Sequence, residues 1–575
     1  MQGGPPSGGN QGRRQGGGDR PSPAPVANEE GLRALGQTID ATRPRRRPSN
    51  RKRRLRRTLI VLGLVVVLIT GLIVGYGWYL NHEVHRITVK GLAAGETQGS
   101  ESGTENILLV GSTDRCALKK QYIGYGICSQ GVNGINSDVV MILHLNPTTH
   151  SVSILSIPRD LFVPNARIQG ANKIDAALFQ GPTQLVAAIQ EDFAIPIQHY
   201  VELNFDSFAS VVNALGGIDM YFPEPVYDAE SDLDVTTVGC HHLNGFHALQ
   251  VVRARHLVHK GPGVTSNNPA DWTPEAQSDL ARIRRDHEFL RVLATAVAKK
   301  GLSNPLTDRS LIAGVVPDLV VDSGFSAGHM INLVLTYHSV KIDQAPQLTL
   351  PVLEDTFGSY QYEGGNYGDI EFPDQPNDQS VVDSFLGITS STNSMTGAPL
   401  PAPGKITVSV ENGTGVTDQA ATTSAALGAL GFHMGELGDT PSVGQEAETV
   451  VYYGSKSAAV VAAAQEVANS ISGSVTLGFN PSMVLGGAEV TVDTGTSFSV
   501  NPPRAATTTT TAPKKTTPPK KSKSPKGGTT TTTTAAPTTT TSTTTASGFA
   551  PPTSADEALE PWDPRSCTAS GGEGP

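Results

Sequence analysis

The stretch Ser153–Phe162, SILSIPRDLF, decides how the rest of the chain is interpreted. Its apolar first half is typical of a buried strand, and Pro158 ends that strand because proline has no N–H to donate to a neighbouring strand. Arg159 and Asp160 are therefore predicted directly beyond the carboxyl end of the strand. Ligands of open α/β sheets bind at that edge, so the sequence predicts a ligand site at these two residues.

Two neighbouring segments share this apolar character. Residues 106–111 (NILLVG) and 139–145 (VVMILHL) are continuously apolar rather than alternating, which indicates a sheet that is covered on both faces. Strand-like and helix-like segments then alternate as far as residue 222, and this order predicts an α/β/α sandwich. Residues 405–498 repeat the pattern on a smaller scale, which predicts a second, small α/β domain.

A membrane helix is predicted at residues 58–80, an uncharged and mostly apolar run that is long enough to cross a bilayer core of about 30 Å. Ten basic residues and no acidic residue lie just before it, in residues 43–57. This asymmetry predicts a single-pass protein of the cell membrane with a cytoplasmic N-terminus and an extracytoplasmic body. Because the basic block adjoins the membrane helix, contact with lipid explains it better than nucleic-acid binding does.

The chain of 575 residues, with a net charge of -10, is long enough for several domains, yet its two ends are too polar to bury a core. Residues 376–404 are rich in Pro, Ser and Asn and have little apolar periodicity, so they are predicted to be a linker. The predicted order is a disordered basic arm (1–57), the membrane helix (58–80), a stalk (81–104), a catalytic domain (105–375), the linker (376–404), the small domain (405–498) and a disordered Thr/Pro/Lys-rich tail (499–575).

The four cysteines fit an extracytoplasmic body. Cys116 and Cys128 are close in sequence, and an oxidising compartment allows them to form a disulfide that would contribute about 3 kcal/mol by loop entropy. Cys240 and Cys567 have no evident local partner. A bond between them is not expected, because it would join a folded domain to a disordered tail.

Several charged residues are predicted near the carboxyl edge of the sheet: Arg159, Arg253, Arg255, Arg282, Asp138, Asp160 and Asp279. A guanidinium group stays charged and binds phosphate oxygens bidentately, so arginines in this number indicate a polyanionic ligand. Carboxylates among them favour a hard cation such as Mg²⁺, which completes its octahedron with phosphates and water. The combination is typical of phosphoryl transfer, although any one arginine alone could equally be a surface ion-pair partner.

Between residues 106 and 293 the sequence also resembles the LytR-CpsA-Psr (LCP) family of bacterial envelope proteins. The segments that carry the resemblance are NILLVGSTDR, SDVVMILHLNP, SILSIPRDLF, NKIDAALFQGP, VNALGGIDMYFPEP, LNGFHALQVVRARH and DLARIRRDHEFL. Residues 405–495 resemble the accessory LytR C-terminal domain through VSVENGTG and GALGF. The resemblance implies a membrane-anchored phosphotransferase that uses Mg²⁺ or Mn²⁺ to move a glycan from a polyprenyl (pyro)phosphate carrier to peptidoglycan.

The resemblance also implies roles for individual residues. The phosphate-binding residues would be Arg159, Arg253, Arg255 and Arg282, with Arg115 and Lys173 as further candidates. The metal ligands would be Asp138 and Asp114. The catalytic residues would be Arg159 together with Asp160 and Asp279, one of which would orient or deprotonate the acceptor hydroxyl.

The sequence departs from the family pattern at three positions. Thr113 stands where the family has a metal-binding aspartate, which is either lost or shifted to Asp114. Asn136 stands in place of an arginine, and Asp286 in place of a glutamine. One carboxylate and one arginine fewer imply weaker metal and phosphate binding.

Two other functions remain open on the sequence alone: hydrolysis of a polyprenyl pyrophosphate by the same site, and a catalytically silent envelope-binding or regulatory protein. A zinc site is an alternative for the crowded histidines His241, His242, His247, His256 and His259. No cysteine and no helical HxxxH spacing supports such a zinc site.

Overall fold

The computed structural model describes residues 84–93, 103–116, 118, 127–131, 134–168, 170–276, 278–300, 319–337, 340, 345–354, 358–502 and 558–567. The chain divides into two units, residues 1–76 and 77–575, and every described residue belongs to the second. No helix within the described ranges is long and apolar enough to cross a membrane. The predicted membrane helix (58–80) and basic arm (1–57) lie outside the described residues.

Strands and helices alternate through the first part of the described chain. The strands are β1 (His85–Ile87), β2 (Glu105–Ser112), β3 (Ser137–Asn146), β4 (Ser151–Ile157), β5 (Phe162–Arg167), β6 (Gly170–Lys173), β7 (His199–Leu203), β8 (Ile218–Phe222), β9 (Val226–Asp228), β10 (Leu233–Val235), β11 (Gly239–Leu243), β12 (Val258–His259), β13 (Thr273–Pro274), β14 (Val320–Asp322), β15 (Gln347–Thr349), β16 (Val352–Glu354), β17 (Tyr360–Tyr362), β18 (Gly365–Gly368) and β19 (Glu371–Gln375). The helices are α1 (Pro182–Phe193), α2 (Phe205–Ala214), α3 (Gly245–Arg253), α4 (Ser278–Lys300), α5 (Ala327–Tyr337) and α6 (Asn377–Leu386).

The main sheet has seven strands in the order β1-β14-β7-β2-β3-β4-β15. Strand β3 is antiparallel to both β2 and β4, whereas β7 is parallel to β2. The carboxyl ends of β2, β4 and β7 therefore meet the start of β3 at one edge of the sheet. The predicted mixed α/β fold is confirmed, and the sheet is mixed rather than parallel.

Both faces of this sheet are buried. Leu108 of β2 joins one apolar cluster with residues of α1 and α6, and Ile107 joins a second cluster with residues of α5 on the other face. Helices thus cover both sides. Successive side chains of a strand point to opposite faces. Because both faces of this sheet are buried, its strands are continuously apolar.

The predicted stalk and linker are wrong in the part of the chain that the structure describes. Strand β1 of the stalk pairs in parallel with β14, and Val84 and Val89 beside it are buried. The predicted linker contains helix α6, whose Val381 and Phe385 are buried against the main sheet. A few buried apolar side chains hold both segments against the rest of the fold. In the sequence these side chains stand among polar residues, so no clear apolar pattern is visible.

The C-terminal region contains β20 (Thr407–Asn412), α7 (Gln419–Ala429), β21 (His433–Asp439), β22 (Thr449–Tyr453), α8 (Ala458–Ala468), β23 (Ile471–Phe479), β24 (Val490–Thr494) and β25 (Phe498–Val500). Its sheet runs β16-β19-β23-β22-β24-β20-β21, with β25 beside β23. The predicted α/β character is confirmed. However, β16 and β19 come from the predicted catalytic domain, so the two predicted domains share this sheet.

Part of the predicted disordered tail is ordered. Residues 558–567 include strand β26 (Arg565–Ser566), which pairs antiparallel with β8. Cys567 forms a disulfide with Cys240 of β11 across a Cα–Cα distance of 5.9 Å, so the expectation that these two cysteines do not pair is wrong. Cys116 and Cys128 form the other disulfide, with a Cα–Cα distance of 5.2 Å.

Candidate active site

Asp138 and Arg159 face each other at the edge where the predicted site lies. Val140 of β3 pairs with Ile157 of β4, and continuing this antiparallel register by two residues brings Asp138 opposite Arg159. Arg159 Nη1 donates a hydrogen bond to Asp138 Oδ1. Strand β4 ends at Ile157, directly before the proline, as the sequence predicts.

Asp160 lies among three cations. Its Oδ1 accepts a hydrogen bond from Lys173 Nζ at 2.8 Å, and its Oδ2 accepts one from Arg255 Nη2 at 2.6 Å. Arg159 Nε is 3.6 Å from the same Oδ2. Burial alone would raise the pKa of Asp160, but Arg159, Arg255 and Lys173 outweigh burial and lower it. Asp160 is therefore an ionised structural anion that holds the cations in place.

Helix α4 presents Asp279 and Arg282 to the same edge. Asp279 Oδ1 lies 3.3 Å from Arg255 Nε and 3.1 Å from Arg282 Nη2. Arg282 Nη2 also donates a hydrogen bond of 2.7 Å to the backbone oxygen of Asp138. The helix is fixed to β4 by a 2.7 Å contact between His287 Nε2 and Ser156 Oγ. The structure thus joins residues more than a hundred positions apart in sequence.

Arg253 and Arg115 lie beside one aromatic ring. Their guanidinium carbons are 4.8 Å and 5.8 Å from the ring centroid of Phe205, which begins α2. Helix α3 ends at Arg253 and Ala254 is extended, so Arg255 turns to Asp160 whereas Arg253 stays over the ring.

Two acidic residues of this site were not predicted. Asp175 Oδ2 lies 3.4 Å from Arg159 Nη2 and accepts a hydrogen bond of 3.2 Å from Asn136 Nδ2. Burial raises the pKa of Asp175 to about 6, partly offset by Arg159. Glu371 donates its backbone N–H to the backbone oxygen of Asp160 at 3.1 Å. Burial, with Asp279 and Asp160 nearby, raises the pKa of the Glu371 side chain to about 8.

Asp175 lies in the segment NKIDAALFQGP. Only the resemblance of this segment to the family could have indicated that Asp175 lies beside Arg159. Glu371 carries no sequence signal, because its proximity depends on a bridge between Leu161 and Glu371. The side chain of Asn136, which stands in place of the family arginine, gives Asp175 a neutral hydrogen-bond donor.

Several buried polar atoms of the site have no hydrogen-bond partner among the described residues. They are Arg159 Nε, Arg255 Nε, Arg282 Nε and both carboxylate oxygens of Asp279. Buried polar groups in native proteins are nearly always paired, and exceptions call for a specific explanation. Each guanidinium Nε faces a carboxylate without the geometry of a hydrogen bond: Arg159 Nε is 3.6 Å from Asp160, Arg255 Nε 3.3 Å from Asp279 and Arg282 Nε 3.8 Å from Asp286.

The predicted metal ligands have different surroundings. The Asp138 side chain is 22% exposed and lies beside Arg159, whereas Asp114 Oδ1 accepts the backbone N–H of Cys116 at 3.0 Å. Thr113 Oγ1 accepts the backbone N–H of Asn136 at 2.9 Å, so the side chain of Thr113 has a structural role. Mg²⁺ is commonly held by one or two carboxylates with phosphate oxygens and water, and the partly exposed Asp138 is one carboxylate of this kind.

An apolar cavity of about 180 Å³ opens beside the charged cluster. Its walls are formed by side chains of β2, β3, α2, α3 and α4, among them Met141, Phe208, Val211, Leu249, Phe289 and Leu293. Its polar end is formed by Asp138, Arg253, Arg282 and Asp286. A ligand with an anionic head and a long apolar chain fits this arrangement.

The crowded histidines do not converge. His242 pairs with Asp219, His256 with Glu230 and His259 with Glu224, while His241 contacts the backbone oxygen of Thr237. Within the described part of the chain, none of them belongs to a group of three metal-ligating side chains. The structure therefore gives no support to zinc binding there.

Asp286, which replaces the family glutamine, makes a pH dependence of stability testable. Burial raises its pKa to about 7. A carboxyl group whose pKa is raised on folding stabilises the protein fully below its unfolded pKa, and that contribution is lost as pH rises through the folded value. Asp286→Asn is uncharged throughout, so we expect it to match the wild type near pH 4 and to be more stable at pH 8 by on the order of 2–4 kcal/mol.

Urea denaturation of both proteins between pH 4 and pH 8 measures this difference. Asp369→Asn, at an exposed aspartate, is the matched control and should follow the wild type at every pH. A stability difference between Asp286→Asn and the wild type that is constant across this range would contradict the prediction.

Taken together, a cluster of arginines and aspartates lies at one edge of a mixed α/β sheet, beside an apolar cavity. The LytR_cpsA_psr family model matches residues 81–371, about half of the chain, and the chain belongs to this family. Residues 405–498 match the model described as LytR cell envelope-related transcriptional attenuator. Both resemblances that the sequence suggested are confirmed.

Two named relatives and one solved structure are similar to part of the chain. The chain is 30% identical over 279 residues to a probable cell wall biosynthesis protein LcpB of Corynebacterium glutamicum, covering 48% of this chain and 60% of the relative. It is 28% identical over 259 residues to a polyisoprenyl-teichoic acid–peptidoglycan teichoic acid transferase TagU of Bacillus mycoides, covering 42% of this chain and 70% of the relative. The match thus spans less than two thirds of LcpB. A solved LytR-Csp2A-Psr enzyme from Actinomyces oris is 24% identical, with a TM-score of 0.37 over 47% of this chain and 88% of that one.

Proposed function

We propose that this protein is a phosphotransferase that moves a glycopolymer from a polyprenyl (pyro)phosphate carrier to peptidoglycan. The observation that carries the proposal is the cluster of Arg159, Arg255 and Arg282 with its carboxylates, which adjoins an apolar cavity through Arg282. The names of the relatives LcpB and TagU support it. A polyprenyl chain would occupy the cavity and its phosphates the arginine cluster.

In this proposal the arginines hold the pyrophosphate and neutralise charge that develops during transfer. Arg159, Arg255 and Arg282 are held in place by Asp138, Asp160 and Asp279. Arg253 and Arg115 extend the positive surface along Phe205. Lys173 acts through Asp160, to which it is hydrogen bonded.

Asp138, with Asp114 as a second candidate, would hold Mg²⁺ or Mn²⁺. When bound, the ion would neutralise phosphate charge and polarise the reacting phosphorus. The protein would supply the carboxylate, and the phosphates and water the remaining ligands.

Asp279 is the better of the two predicted candidates for the acceptor hydroxyl. Asp160 accepts hydrogen bonds on both oxygens, from Lys173 and Arg255, whereas only Oδ1 of Asp279 takes part in ion pairs and its Oδ2 has no hydrogen-bond partner among the described residues. The hydroxyl oxygen would form a bond to the glycan-linked phosphorus, and the bond from that phosphorus to the bridging oxygen would break. Asp279 would take the hydroxyl proton, and polyprenyl phosphate would leave.

Incubation of the purified full chain with a polyprenyl-pyrophosphate glycan, peptidoglycan and Mg²⁺ tests the proposal. Glycan that becomes covalently linked to peptidoglycan supports transfer. Release of glycan phosphate and polyprenyl phosphate without linkage would favour a hydrolase, and tight lipid binding without either product would favour a silent envelope-binding protein.

The location of the protein is part of the same proposal. The segment 58–80 would anchor the chain in the membrane, with the basic arm in the cytoplasm and the catalytic region outside. The disulfides Cys116–Cys128 and Cys240–Cys567 support an oxidising compartment for that region.

Narrowing the cavity should discriminate between lipid chain lengths. Val211 of α2 lines the cavity wall, and Val211→Trp would fill space that a long polyprenyl chain needs. We expect KM to rise about tenfold for a long-chain substrate, the loss of roughly two buried methylene groups, and to change little for a short-chain analogue. Initial rates with both substrates measure this.

Val238→Trp is the matched control, because Val238 is 55% exposed and does not line the cavity. Equal effects of Val211→Trp on both substrates would show that the lipid chain lies elsewhere.

A further inference from the structure

Three metal-ligating side chains meet at the edge of the main sheet opposite the arginine cluster. Glu105 begins β2, His199 begins β7, and His329 lies in the first turn of α5. One ligand atom of each lies within 4.8 Å of the other two. Strand β2 separates this group from Ser112 by seven residues, or roughly 24 Å of strand, so the group does not belong to the candidate active site.

The surroundings of His199 orient its ring as metal ligands are commonly oriented. His199 Nδ1 contacts Asp322 Oδ2 at 3.0 Å, and this buried carboxylate also accepts the backbone N–H groups of Tyr200 and Gly324. Phe325 stacks on the ring with a centroid distance of 4.2 Å. A carboxylate that accepts Nδ1–H leaves the Nε2 lone pair available, which is the arrangement of the carboxylate–histidine–zinc triad.

The other two side chains are close and accessible. His329 Nε2 lies 2.9 Å from Glu105 Oε2, and their side chains are 34% and 18% exposed. Ser326 Oγ accepts the N–H of His329 at 3.1 Å and so fixes the start of the helix. Ligand atoms around a tetrahedral Zn²⁺ are about 3.3 Å apart, so small rotations of these exposed side chains would bring the three groups around one ion.

We propose that Glu105, His199 and His329 form a Zn²⁺ site that joins the starts of β2 and β7 to α5, with water as the fourth ligand. Two imidazoles and one carboxylate are borderline ligands that suit Zn²⁺ and related transition metals, whereas Mg²⁺ favours oxygen ligands. The site therefore differs in metal preference from the Asp138 site. It ties α5 to the main sheet on the face that α5 covers.

Titration of the metal-free full chain, purified without a polyhistidine tag, with Co²⁺ tests this proposal, because tetrahedral Co²⁺ reports its nitrogen ligands in its visible spectrum. We expect one equivalent to bind with that spectrum and Zn²⁺ to displace it. His329→Ala and Glu105→Gln should each weaken Co²⁺ binding by about 100-fold, with thermal unfolding in the absence of metal showing that each variant is folded.

Two control variants locate the signal. His256→Ala removes a histidine that contacts a single carboxylate, Glu230, at 3.2 Å, and should bind Co²⁺ as the wild type does. Asp138→Asn should also keep the tetrahedral spectrum, since it alters only the other proposed metal site. The absence of this spectrum in the wild type, or the same affinity in folded His329→Ala and Glu105→Gln, would overturn the proposal.

Discussion

Arg159→Ala is expected to transfer glycopolymer about 10²- to 10³-fold more slowly than the wild type, the usual loss when one preorganised group that stabilises transition-state charge is removed. Arg159 contacts Asp138, Asp160 and Asp175 at once. These carboxylates outweigh burial and raise its pKa, so the charge is permanent. Linked product per minute, measured at saturating carrier and peptidoglycan, gives the change in rate.

Two further variants separate catalysis from folding. Arg159→Lys keeps a positive charge beside the three aspartates but cannot bind phosphate bidentately, so it should fold as the wild type does and still lose most of the activity. Arg167→Ala removes an exposed arginine near Tyr367 and should leave the rate unchanged. Full activity in folded Arg159→Lys and Arg159→Ala would remove Arg159 from the site.

Asp563→Ala is expected to lower the free energy of unfolding by about 3–5 kcal/mol, because it removes one of two buried carboxylates and leaves Glu275 alone to balance the buried cations Arg284 and Arg285. Asp563 is fully buried, and its Oδ2 accepts a hydrogen bond of 2.6 Å from Arg284 Nε. Arg285, also fully buried, lies 3.9 Å from Asp563 Oδ1 and donates to the backbone oxygen of Ala254. The midpoint of urea denaturation should therefore fall.

Asp219→Ala is the control for this prediction. Asp219 lies on β8, the strand that β26 joins, and its side chain is 65% exposed beside His242. A surface substitution of this kind should change stability by no more than about 0.5 kcal/mol. If Asp563→Ala is as stable as Asp219→Ala, the contact between the tail and α4 contributes nothing to the fold.

Local patterns predicted the parts of the fold that depend on them. The apolar runs of β2, β3 and β4 and the proline after β4 are each contained within a few strand residues. Such features need no knowledge of distant residues.

Features that depend on distant residues were missed. The order of residues 558–567 rests on a buried charge pair with Arg284 and a disulfide to Cys240, 327 residues away. Helix α6 is short, and its buried Val381 and Phe385 stand among residues whose composition is typical of linkers. Composition describes a segment by itself, whereas both segments are held by partners elsewhere.

The residues of the site also divide into those that the sequence could predict and those whose positions depend on distant parts of the chain. The arginines could be predicted because several of them in one acidic chain indicate a polyanion, and the structure brings Arg159, Arg255 and Arg282 together. The separate position of Arg253 over Phe205 could not be predicted, because it depends on where α2 begins relative to α3. Glu371 likewise reaches Asp160 only through the pairing of chain segments 210 residues apart.

The sheet shared by the two predicted domains limits how they can move. Strand β19 pairs with β23 of the C-terminal region at Asp374 and Ser474, and the N–H of Glu371 at its start is bonded to the Asp160 oxygen. Backbone hydrogen bonds thus connect the two regions along this path. A ligand that shifts the C-terminal sheet would therefore displace the backbone that carries Asp160. Ligand binding in the C-terminal region would in this way change the position of Asp160 in the candidate active site.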